Sequence, residues 1–310
     1  MTTLFRRDIQ PDNLFSNFRP KQKTGRLFNF PLTRIFVIAL FLAPFVLVNI
    51  LVVLQVIEQV EEPLATNIDI LRMLLMIPFL LISYGVYCRI FEKRKAYEIS
   101  FSGSAREWLT GFLIATCLVV LFVALISVFG SFEIEEFRSA KVLFKNFLAF
   151  GMGSLFQELV LLCILFRLVE EYAGTWVALV MSLVVFSFAH AANPNQNLVS
   201  GIFLATSSIV LIAPFILTRR IWVSWGFHAG WNFMQAGVFG MANSGILFPG
   251  WMVTKIGGPE WLTGGDIGLE GSYLAVGADL AIGLVILFAA MRAGKIVSPA
   301  WKRTISVEVQ

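Results

Sequence analysis

The sequence predicts an all-α protein, a polytopic membrane helix bundle of about eight transmembrane helices. Three observations predict it. Of 310 residues, 57% are hydrophobic and only 14% charged, where a soluble domain carries about a quarter charged. The mean hydropathy is +0.79. Apolar runs of the length needed to cross a bilayer, about 20 residues, recur along the chain between short polar segments.

Residues 1–34 are polar and basic, with Pro11, Pro20 and Pro31, and read as a cytoplasmic tail. A secretory signal would place its apolar core earlier and keep it shorter. Spans are expected at 35–57, 70–91, 109–130, 145–168, 174–192, 198–218, 221–240 and 271–292. The first two lie in an N-terminal unit, 35–97. The other six fall in 98–293, and 294–310 reads as a second cytoplasmic tail. The run 221–240 contains His228 and Asn232, which suits a helix facing a cavity. The 241–270 segment is rich in glycine (Gly245, Gly257, Gly258, Gly264, Gly265, Gly268). A loop of that length is more often functional than idle, and it is expected to form an ordered cap over the outer mouth.

Loop charges test the span count. The first 34 residues hold seven Lys/Arg, and 58–69 holds none. The next loop has Arg89, Lys93, Arg94, Lys95 and Arg106. Arg219-Arg220 and the group Arg292, Lys295, Lys302, Arg303 follow on later alternate segments. That alternation fits eight spans with both termini cytoplasmic. Only Arg167 speaks for the fourth loop. Glu133, Glu135 and Glu136 read as a solvated loop. The net charge of +4 belongs to residues beside spans, so no nucleic-acid partner is expected. Cys88, Cys117 and Cys163 are far apart and form no CxxC, which argues against a disulfide or zinc framework and for small core residues.

Four polar side chains stand inside apolar runs: Glu158, His190, His228 and Asn232, with Gln157 beside the first. Such groups are expensive in hydrocarbon and usually face a cavity and act there. Taken singly, each also reads as interhelical hydrogen-bonding glue. Counted from the inner helix ends at ~1.5 Å per residue, they lie ~11–24 Å deep, a spread that helix tilt absorbs. His228 and Asn232 share a helix face, as do Phe186 and His190.

The spacing Phe186-x-x-x-His190 followed by His228-x-x-x-Asn232, on separate spans and before a Gly-rich loop, resembles the CPBP family of CAAX-protease and bacteriocin-processing intramembrane proteases. The resemblance covers roughly 98–292. The family's first motif, Glu-Glu-x-x-x-Arg, falls on Gln157-Glu158 and Leu162, so its first Glu is Gln and its Arg is Leu. The resemblance implies a peptidase acting on a membrane-associated or lipid-modified protein. His190, with Glu158 or Gln157, would activate water, and His228 and Asn232 would hold the oxyanion. It leaves the metal open: a divalent ion such as zinc on His190, His228 and Glu158, or none. A bacterial inner membrane is the expected location, with the lipid bilayer and a peptide or lipid-modified substrate as partners.

A carboxamide oxygen is a very poor base, and the missing Arg removes an always-charged partner from beside the carboxyl. The alternative function is therefore an inactive relative that binds a membrane peptide in maturation or immunity. A bis-histidine haem protein and an ion-coupled transporter are the readings from other classes. Glu158 points about 100° away from Gln157 on a regular helix and replaces it only if the helix is rotated or unwound there.

The expected topology has a direct check. Reporter fusions after residues 65 and 100 should report opposite sides of the membrane, with 100 and 305 on the same side. Equal signals at 65 and 100 would reject it.

Overall fold

The structure is a computed structural model, and it describes residues 9–15, 30–55 and 64–303. The helices are α1 (Pro31–Gln55), α2 (Leu64–Ile90), α3 (Ser104–Phe129), α4 (Ala140–Glu158), α5 (Arg167–Ala173), α6 (Thr175–His190), α7 (Leu198–Thr218), α8 (Trp222–Asn232), α9 (Glu260–Thr263) and α10 (Tyr273–Arg292). Two π-helical stretches, Leu159–Phe166 and Phe233–Val238, continue α4 and α8. Segments 1–8, 16–29, 56–63 and 304–310, and with them parts of both expected tails, the end of the expected 35–57 span and the first half of the 58–69 loop, lie outside the described residues.

The described residues include six helices long and apolar enough to cross a membrane, one of them the continuous stretch Ala140–Ala173. The protein is an all-α membrane bundle. The expected span 174–192 is realised as the 16-residue α6, and 221–240 as α8 with its π-helical continuation to Val238, both shorter than expected. The reason for α8 is position. Every one of its residues except Trp225 is buried. A helix enclosed by others has no lipid thickness to match.

Glycines set α8 in place. A Cβ on Gly111 of α3 would stand 2.1 Å from Val223 O, and one on Gly226 of α8 would stand 2.0 Å from Trp108 O. The two backbones therefore touch, the packing that small residues permit between membrane helices. Two hydrogen bonds fix the other sides of α8. Ser224 Oγ donates to Leu211 O of α7 (2.6 Å), and Trp225 Nε1 donates to Gly151 O of α4 (2.8 Å).

At one end, strand β1 (Ser131–Phe137) pairs antiparallel with β2 (Met252–Gly257), with an irregularity between Ile134 and Glu136. The three glutamates read as a loop are thus an exposed strand, held by backbone pairing that their side chains do not advertise. The Gly-rich segment forms an ordered cap. Gly245 (φ +80°) lies so close to the 193–197 turn that a Cβ would be 2.0 Å from Pro194 O. Among the cysteines, Cys88 and Cys163 are buried, but Cys117 is exposed on α3. It faces outward because α3 turns its buried stripe, Ala115, Val119 and Phe122, away from it.

The opposite end is a buried ion lattice. Glu92 receives Arg34 (2.5 Å), Arg94 (2.7 Å) and Arg167 (2.8 Å). Arg94 also binds Glu98 at 2.7 Å, Arg220 binds Glu107 at 2.7 Å, and Arg219 binds Glu170. Arg167 donates to Leu14 O (3.1 Å) and Lys295 to Ile9 O (2.8 Å), so both terminal regions dock on this end. Burial by itself raises the Glu92 and Glu98 carboxyls. The surrounding guanidiniums, Arg167, Arg94 and Arg34 on Glu92 and Arg94 and Arg167 on Glu98, outweigh it and hold both below the usual carboxylate range.

Glu92→Gln leaves three guanidiniums without their shared acceptor. It should cost on the order of 3 kcal/mol, the scale for breaking a buried ion pair, read as a lower melting temperature in detergent. The acid dependence has a definite sign. Both carboxyls have folded values below their unfolded ones, so their contribution is present above the unfolded value of about 4.3 and lost as pH falls below it. The native protein should lose stability below about pH 4, and Glu92→Gln should flatten that loss.

Candidate active site

The site lies where α4, α6 and α8 meet the cap. The last turn of α6 presents His190, whose Nδ1 donates to Phe186 O at 2.8 Å. That bond leaves Nε2 as the free ring nitrogen. The Phe186 ring packs against His190 (centroids 4.5 Å apart) and edge-on to His228 (6.3 Å), so one aromatic side chain spaces both imidazoles.

Glu158 ends α4 and is fully buried. Its Oε1 accepts from His228 Nδ1 at 2.6 Å, while Oε2 has no partner. The π-helical stretch begins at the next residue, Leu159. A second one begins at Phe233, directly after Asn232. Such widened turns shift the side-chain register and occur often at functional sites. Leu162, which stands where the family motif has Arg, is completely buried inside the first.

A cavity of about 330 Å³ collects Gln157, His190, His228 and Asn232 on its wall. Four of the five residues singled out in the sequence therefore share one cavity. Glu158 does not line it but stands behind His228. The resemblance implies a carboxyl serving His190, whereas the structure pairs the buried carboxyl with the second histidine. Gln157 Oε1 is buried and unpartnered at the cavity wall.

The cap adds residues that the sequence reading missed. Asn243 Nδ2 donates to Asn232 Oδ1 (3.0 Å) and to Glu270 Oε1 (2.8 Å), and Ser244 Oγ donates to Glu270 Oε2 (2.6 Å). Asn232, which lines the cavity, thus has its oxygen engaged by the cap. Burial pushes the Glu270 carboxyl up to about 7, against the Ser244 hydrogen bonds and the His228 charge, which lower it. Asp279 of α10 also lines the cavity. It carried the same signal as Glu158, a carboxyl within an apolar run, and that signal was overlooked.

Among the described residues, no three His, Cys, Asp or Glu side chains are grouped to hold an ion. A catalytic zinc ordinarily takes three protein ligands. Both imidazoles donate Nδ1 to protein acceptors and keep Nε2 free, but Glu158 stands behind His228, off the cavity wall, and brings no third ligand to them. The residues present do not fit a three-ligand site built from His190, His228 and Glu158.

Residues 109–234 match the family described as type II CAAX prenyl endopeptidase, Rce1-like. All five candidate residues fall within that match. No curated protein and no solved structure matches the chain.

Glu270 gives the site a pH signature. Its folded value, about 7, lies above the ordinary 4.5. Its contribution to stability is thus full below about pH 4.5 and lost as pH rises through about 7. Between those limits the native melting temperature should fall with pH, and that slope should vanish in Glu270→Gln. An unchanged slope would show that Glu270 is not the titrating group.

Proposed function

We propose that this chain, whose residues 109–234 match the Rce1-like family, is an intramembrane peptidase of the CPBP type in which Glu158 and His228 together supply the base. The substrate is a peptide bond of a membrane-associated or lipid-modified protein that enters the cavity from the bilayer. The observation that carries the proposal is the 2.6 Å contact between Glu158 Oε1 and His228 Nδ1.

A carboxylate accepting at Nδ1 fixes the ring orientation and leaves Nε2 as the acceptor. His228 Nε2 takes a proton from water as the oxygen attacks the scissile carbonyl. The same proton then passes to the departing amine, so the ring ends as it began. Glu158 stays in place and stabilises the imidazolium between those steps. Asn232, held by Asn243, donates Nδ2–H to the oxygen that becomes negative. Removing one such donor costs ~10²–10³ in rate in enzymes of this kind. His190 offers Nε2 to position the water, and the unpartnered Gln157 oxygen receives a substrate N–H. In this scheme the buried Glu158 takes the part that the lost Glu at 157 has in the family motif.

Gln157 on the cavity wall favours a second reading, in which the pocket binds a membrane peptide without cutting it. Proteolysis in liposomes separates the two. The native chain should cleave a substrate accepted by an active relative, and Glu158→Gln and His228→Ala should each lower the rate by ~10²–10⁴. Cleavage only after Gln157→Glu with Leu162→Arg would reject the Glu158–His228 base. Binding without cleavage by both the native chain and that double variant would leave the binding-only reading.

A further inference from the structure

The cavity wall carries two carboxyls, Glu270 and Asp279, and no lysine or arginine among the described residues. Both oxygens of Glu270 already accept hydrogen bonds, from Asn243 and Ser244. Asp279 differs. It is 1% exposed, and its Oδ1 has no partner. It sits in the buried stripe of α10, between Ala275 and Gly283, one turn from each. Gly283 packs so tightly on α7 that a Cβ would lie 3.0 Å from Val210 N. The aspartate is therefore held between two small residues that bring the helices together. Packing alone would be served better there by another small apolar residue. An ionisable group at such depth, facing a cavity, ordinarily meets a partner of opposite charge. Gln157 Oε1 and Ser154 Oγ, both buried on α4, also lack partners among the described residues on this wall.

We propose that Asp279 receives a primary ammonium group of the bound substrate, either a lysine side chain or a free peptide N-terminus. The assignment rests on the peptidase reading for the identity of the ligand as a peptide, and on the cavity alone for its charge. Asp279 supplies the unpartnered oxygen. Glu270 stands on the same wall with both its oxygens held by Asn243 and Ser244, which leaves Asp279 as the open acceptor. An acidic or acetylated ligand brings no cationic donor to Asp279 and forgoes the charge-assisted hydrogen bond. The cavity thus discriminates by charge at a point separate from the histidines.

Three amidated pentapeptides of Ala and Leu test this at pH 7, with affinities measured on the purified chain in detergent. One has a free N-terminus, one is N-acetylated, and one is N-acetylated with a central Lys. At least one ammonium peptide should bind ~10-fold more tightly than the neutral one, the scale of one charge-assisted hydrogen bond. Whichever is preferred identifies the source. Asp279→Asn should bring all three within about twofold, and Asp279→Glu should keep the preference. Equal affinities in the native chain overturn the proposal, and so does a preference that survives Asp279→Asn. If neither variant folds, the native comparison decides alone. Cleavage is not read here. A chain that prefers ammonium peptides but cuts nothing defeats the peptidase reading only, and one that cuts peptides without charge preference defeats this proposal only.

Discussion

A polar group among apolar helices has no water to turn to, so its partner must come from the bundle itself. That constraint organises this protein at two levels. At one end, guanidiniums and carboxylates from α1, α3, α5, the 91–103 loop and the Arg219-Arg220 turn neutralise one another in a closed lattice. Midway along the bundle, the polar groups pair only in part. Glu158 has His228, His190 has the Phe186 carbonyl, and Asn232 has Asn243. What stays open, including Gln157 Oε1 and Asp279 Oδ1, faces the cavity. The satisfied lattice holds the shape, and the unsatisfied remainder is available for a ligand.

The two levels are joined by backbone. The contact of α3 with α8 through Gly111 and Gly226 fixes the rotation of the helix that bears His228 and Asn232. Ser224 and Trp225 fix the same helix to α7 and α4. Since α8 is buried on nearly every side, an error in its rotation would turn a histidine into the core. Rigid support of this kind is what keeps reacting groups within a few tenths of an ångström of a working geometry.

The cap belongs to the site as much as the helices do. Asn243 reaches down from it to orient the Asn232 amide, and Glu270 holds Asn243. Glycines at positive φ let the cap fold close to its neighbours. At Gly268 (φ +89°) a Cβ would stand 1.9 Å from Ala242 O. That fold brings the 241–270 segment onto the mouth of the cavity with only the strand β2 and the single helical turn α9 as regular structure.

Much of this was legible in the sequence. Apolar run length fixed the helices, and the cost of burying His190, His228, Asn232 and Glu158 marked them as one set before any geometry was known. Spacing along one helix is a property of the chain, since residues four apart share a face whatever surrounds them. Relations between helices are not. Helix rotation and the widened turns after Glu158 and Asn232 decided that Glu158 meets His228 rather than His190. The same holds for Arg167, which reads as a lone loop charge and is in fact a buried member of the ion lattice. Asn243, Glu270 and Asp279 joined the site through contacts between segments far apart in sequence. The chain determined which side chains must find partners away from water, and only the packing of the helices decided which partner each one found.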